Sequence, residues 1–187
     1  MNAPTPPQYV TSLEEIFWAG LLIAITMAVH GFGMISVART NAALKERFAL
    51  TPSFVSGVSI LVLSSWMILL VHLVEVFAWA GFFYWQGAVN TSGDGPGNAP
   101  ANPSLCYYFA LLDYTCLGSD YNLHQRWRLL EGMISMAGLL TFAWSTGVLF
   151  TLAQCFQDEQ LQLLKNKREK QRLKSGRPLG SAAAPSK

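Results

Sequence analysis

The sequence predicts an all-α integral membrane protein with three transmembrane helices and one short helix that enters the bilayer without crossing it. Three observations carry that expectation. Of the 187 residues, 51% are hydrophobic and only 13% charged, and the charges crowd into a few segments. Three apolar runs reach the roughly 20 residues that a helix needs to cross a hydrocarbon core of about 30 Å. A fourth, 104–117, is too short to span, and irregular backbone at membrane depth survives only where protein or water covers it.

Taken in order, residues 1–15 form an N-terminal segment and 16–38 the first span, which lacks the basic start and small-residue cleavage site of a signal peptide. A loop at 39–54 carries Arg39, Lys45 and Arg47, and the second, outer span covers 55–85. The 86–103 loop is rich in Gly, Asn, Pro, Ala and Ser, with Asp94 its only charge; such a segment cannot bury a core and reads as a flexible turret. Residues 104–127 hold the short helix and a turn, 128–157 the last span, and 158–187 a basic tail, helical at first and disordered after about 175. Lys and Arg are absent before Arg39, and beyond the second span only Arg126 and Arg128 precede the cluster that starts at Lys165. The positive-inside rule then puts the N-terminus outside, the first loop inside and the tail inside, so the short helix dips in from the outer face. The tail is expected to hold this topology and touch anionic lipid, with a gating role or a cytoplasmic partner as the alternative.

The order span, outer loop, descending helix, turn and span resembles that of the pore-loop channels. Tyr107-Tyr108-Phe109-Ala110-Leu111-Leu112 followed by Tyr114-Thr115-Cys116-Leu117-Gly118 is similar to the pore helix and the start of the T-T-V-G-Y-G-D filter of potassium channels. Trp127-Arg128-Leu129-Leu130-Glu131 and Phe142-Ala143-Trp144-Ser145-Thr146 resemble the inner helix of small bacterial ion-channel proteins with one extra span before the two-span pore unit. His30-Gly31 and His72-Leu73-Val74-Glu75 fit that group as well. The resemblance runs from the first span to about Gln157. It implies a potassium-channel-like homotetramer in a bacterial inner membrane, four pore loops around one axis, and filter carbonyls that replace the hydration shell of potassium. The permeant cation is then the only bound species expected, with no resident metal or cofactor.

At the filter the sequence departs from that pattern. Cys116 stands where the family has a threonine, Ser119 replaces the bracing aromatic residue, and Asp120 stands at the second glycine or marks a deletion. A soft sulfur is a poor ligand for an alkali ion. Three outcomes stay open for Thr115, Cys116, Leu117, Gly118, Ser119 and Asp120: a wider, weakly selective cation path ringed by Asp120 and Asp113, fewer potassium sites, or a closed, non-conducting turn in a protein that senses or binds a partner.

Other polar residues fall inside apolar runs. His72 and Glu75 are three apart and share a helix face, which His30 reaches if the first two spans pack antiparallel. Ionisable groups at membrane depth pair or face water. The expectation is a hydrogen-bonded cluster pinning the outer helices; a proton switch and a divalent metal site are the sharper alternatives. Glu131 is expected to pair with Arg128 or else to brace the pore loop. Asp113, unfavourably placed at a helix C-terminus, is expected to seek Arg126 or Arg128, with a bound cation as the alternative, and Tyr114 to support the loop. Small residues of the last span let helices approach closely, and Ser145 and Thr146 are expected to line an inner cavity. Trp18, Trp79, Trp85 and Trp127 read as interfacial anchors.

Enzyme chemistry finds no footing. The chain has no Gly-rich phosphate loop, no paired-cysteine metal motif, and no Ser, His and Asp set that spacing would bring together. Nothing points to nucleic acid, and Cys106, Cys116 and Cys155 do not form a disulfide framework.

Overall fold

A computed structural model describes residues 13–48, 54–90 and 102–174. Helix α1 runs Leu13–Phe48, α2 Phe54–Gln86, α3 Pro103–Tyr114 and α4 Leu129–Lys174. The first span thus continues as helix through most of the expected 39–54 loop, because Asn41 to Phe48 contains no Gly or Pro to stop it. The charged start of the tail extends α4 unbroken to Lys174. The turret expected at 86–103 and the disorder expected after 175 lie largely or wholly outside the described residues.

Segments of α1, α2 and α4 are long and apolar enough to cross a membrane. Their surface is turned inside out relative to a water-soluble bundle. Phe17, Phe32, Trp66, Leu70, Phe77 and Phe150 are more than half exposed, while Thr26, His30, His72, Glu75, Thr141 and Ser145 are buried between helices. In lipid this pattern costs little, since the exposed groups are apolar and the polar ones find each other. The protein is therefore integral to a membrane.

The short helix is well bounded. Asn102 caps its N-terminus by accepting from the Ser104 amide, and Pro103 fills the first turn, where no amide partner is needed. At its other end the Cys116 amide donates to the Asp113 carbonyl and the Leu117 amide to Leu112, with Cys116 at φ 60°. That is a Schellman closure with cysteine at the left-handed position usually held by glycine.

Packed on α2 and α4, α3 descends steeply between them. A Cβ placed on Gly138 would sit 1.9 Å from the Tyr114 carbonyl oxygen, so only glycine lets α4 meet the end of α3. Gly138 lies nine residues into α4, about 13 Å along its axis at 1.5 Å per residue. The end of α3 is thus far below the start of α4.

One aromatic core holds this end of the bundle: Trp79, Phe82 and Phe83 of α2 pack with Phe109 of α3, with Trp127 in the short 3-10 turn Gln125–Trp127 and with Leu130 at the start of α4. Trp79 and Trp127 are buried within the protein, and the Trp79 indole N–H donates to Thr26 of α1 at 2.9 Å; Trp85 is exposed. Two short strands absent from the sequence reading tie the loops together, β1 (Val89–Asn90) antiparallel to β2 (Asn122–Leu123) with Val89 opposite Leu123. Glu15, fully buried, reaches from α1 to accept from the Leu129 amide at 2.6 Å and so caps the first turn of α4.

Candidate functional site

Two features hold the residues singled out by the sequence: a polar ring inside the bundle, and the turn after α3.

The ring brings His30, His72 and Glu75 together. The His30 Nδ1 lies 2.8 Å from one Glu75 carboxylate oxygen and the His72 Nδ1 3.2 Å from the other. On their far sides both imidazoles meet one hydroxyl, Ser145 Oγ, at 3.0 Å from His72 Nε2 and 3.4 Å from His30 Nε2. Tyr114 of α3 donates its hydroxyl to the second Glu75 oxygen and also bonds Thr141 of α4. All four helices therefore contribute. The Trp144 ring lies 5.2 Å from the His30 ring and the Phe142 ring 4.5 Å from that of His72, both tilted, so aromatic side chains flank the two imidazoles.

Ser145 was expected on a cavity wall. It is instead buried in the ring, because it lies one turn beyond Thr141 on the face of α4 that meets α1 and α2. Thr146, on the neighbouring face, is exposed and bonds back to the Phe142 carbonyl. Thr141 and Tyr114 belong to the ring although the sequence reading did not place them there. Periodicity carried a signal for one of them, since Thr141 and Ser145 are four apart. Thr26 and His30 repeat that spacing on α1.

In the turn, Thr115 is half-buried and its hydroxyl bonds back to the Leu111 and Leu112 carbonyls. Cys116, Leu117, Gly118 and Asp120 are exposed, with Gly118 at φ 72°. The Ser119 hydroxyl donates to the Tyr121 carbonyl, and Cys116 Sγ lies 3.6 Å from the Ser135 carbonyl. Glu131 does not pair with Arg128; its carboxylate accepts from the Leu123 amide at 2.7 Å, so it holds the loop that follows the turn. Arg126 pairs with Glu14 of α1 rather than with Asp113. Asp113 is buried and makes no ion pair among the described residues, and its Oδ2 has no hydrogen-bond partner there. Burial, and next the nearby Glu131 charge, raise its pKa to about 6.

Comparison with protein-family models, with curated proteins and with solved structures returns no match to this chain.

Proposed function

We propose that this protein is one subunit of a tetrameric, potassium-channel-like cation pathway, with passive permeation of potassium or of monovalent cations with weak selectivity. The observation that carries the reading is the end of α3. A twelve-residue helix stops beside Gly138, about 13 Å down α4, and the turn that follows it is left exposed by its own chain. Backbone at that depth needs cover or water. Further copies around a shared axis supply both.

The charge favours cations. Helix α3 directs its carbonyl end, the negative pole of its dipole, at the turn, and Asp113 and Asp120 flank it. No Lys or Arg occurs between Arg47 and Arg126.

One observation favours a second reading, a non-conducting member of the same architecture that senses or binds a partner. The amides of Cys116 and Leu117 and the Thr115 hydroxyl close α3 as a helix cap. A cap turns the chain; a filter would extend it along the axis.

Flux from liposomes loaded with potassium, sodium or a large organic cation separates the two. Potassium should pass, joined by sodium where selectivity is weak, and the organic cation should not. No flux of any ion, across a range of pH and voltage, sinks the channel reading and leaves the second.

A further inference from the structure

We propose that His30, His72 and Glu75 form a buried site for one divalent transition-metal ion of the Zn2+ class. The observation that carries it is geometric. Both imidazoles turn Nδ1 toward the Glu75 carboxylate and Nε2 toward Ser145 Oγ, and His72 Nδ1 also lies 3.3 Å from the Tyr114 hydroxyl. Buried carboxylates are paired or hold a metal, and no Lys or Arg lies in the apolar stretch of any span to stand beside this one.

A metal ion fits the donors already in place. One donor atom each from His30, His72 and Glu75 lies within 4.8 Å of the others, all three buried. Donors around a tetrahedral Zn2+ are about 3.3 Å apart for bonds near 2.0 Å. His30 Nδ1 lies 2.8 Å from one Glu75 oxygen and His72 Nδ1 3.2 Å from the other, so the carboxylate already stands between the two imidazoles and a small side-chain adjustment brings one of its oxygens into reach of both. Two imidazoles and one carboxylate are also the donor set that suits such an ion. With both Nδ1 atoms on the metal, both rings carry Nε2–H, and the two lone pairs of Ser145 accept both. Metal-binding histidines ordinarily use the second nitrogen in this way. The Tyr114 hydroxyl, bonded to Glu75 and 3.3 Å from His72 Nδ1, is a further oxygen beside these donors.

The site does not depend on whether the chain conducts. The test uses the full, tag-free chain in detergent, incubated with ZnCl2, passed through a desalting column and assayed for zinc. About one zinc per chain is expected, with His30→Gln and His72→Gln each binding at least about tenfold more weakly and Ser145→Ala, which loses only the supporting acceptor, about tenfold more weakly. Zinc no higher than a buffer blank would overturn the site. Equal zinc in the parent and both His variants would overturn it too, placing the metal elsewhere. Should the variants not fold, the parent alone decides. Its melting temperature should rise with ZnCl2 up to one equivalent and fall back with chelator, and an unchanged melting temperature refutes the proposal.

Discussion

Tyr114, the last residue of α3, donates its hydroxyl to the Glu75 carboxylate of α2. This bond joins the two features described above: Glu75 sits eleven residues, about 16 Å, back from the end of α2, and the backbone of Tyr114 begins the exposed turn. Whatever holds Glu75 therefore also fixes the depth and rotation of α3. Loss of the hydroxyl in Tyr114→Phe should cost about 1–2 kcal/mol, the scale of interhelical hydrogen bonds in membranes. Thermal unfolding of Tyr114→Phe, Glu75→Gln and the double variant in detergent checks this. The two changes should be clearly non-additive, and additivity within about 0.5 kcal/mol would show that the residues are not coupled.

Gly138 should be the least replaceable glycine of α4. Its Cβ would overlap the Tyr114 carbonyl, whereas Gly132 and Gly147 have nothing within 4 Å of theirs among the described residues. Gly138→Ala must push α3 away and should destabilise by about 1–3 kcal/mol. The other two gain helix propensity, up to about 1 kcal/mol. Equal melting temperatures for Gly138→Ala and Gly132→Ala would refute the close approach.

Asp113 makes stability depend on pH with a definite sign. A carboxyl raised from 3.8 to about 6 binds its proton more tightly folded than unfolded. Its contribution is fully present below the unfolded value and is lost as the pH rises through about 6. The parent's melting temperature should therefore fall between about pH 4 and about pH 7, and that of Asp113→Asn should fall less. Identical pH profiles would mean that Asp113 is not buried as described. Glu131→Gln, which removes the second cause of the shift, should give an intermediate profile.

The three spans were legible in the sequence because twenty apolar residues in a row have few other uses. His30, His72 and Glu75 were legible as a group because ionisable residues in such runs must find partners, and two of them are three apart on one helix. Tyr114 was not, since a tyrosine after aromatic residues looks like support for a turn and its reach depends on how far α3 descends. That depth is set by Gly138, a residue whose meaning appears only when its neighbour is known. Glu15 was missed for a similar reason. A carboxylate just before a span looks like an interfacial charge, and its partner, the Leu129 amide, lies 114 positions away.

At Cys116 the sequence resemblance and the backbone disagree. The resemblance aligns Cys116 with a threonine of the potassium filter, which suggests that threonine would be the conservative replacement. The backbone says otherwise: at φ 60°, Cys116 is the left-handed residue that closes α3, and a β-branched side chain is strained there. A left-handed residue other than glycine costs about 1–2 kcal/mol, while glycine gives back about 0.5–1 kcal/mol in chain entropy. Cys116→Gly should then stabilise by up to about 1 kcal/mol, and Cys116→Thr should destabilise by at least as much. Only the weak contact from Sγ to the Ser135 carbonyl is lost in either case. Thermal unfolding in detergent should rank glycine above cysteine above threonine. If threonine matches the parent, residues 115–117 are not held as a helix cap, and the extended, ion-lining conformation gains the support that the cap now denies it. Measuring potassium against sodium flux for the same variants joins this to function: in the capped conformation, threonine should not restore preference for potassium.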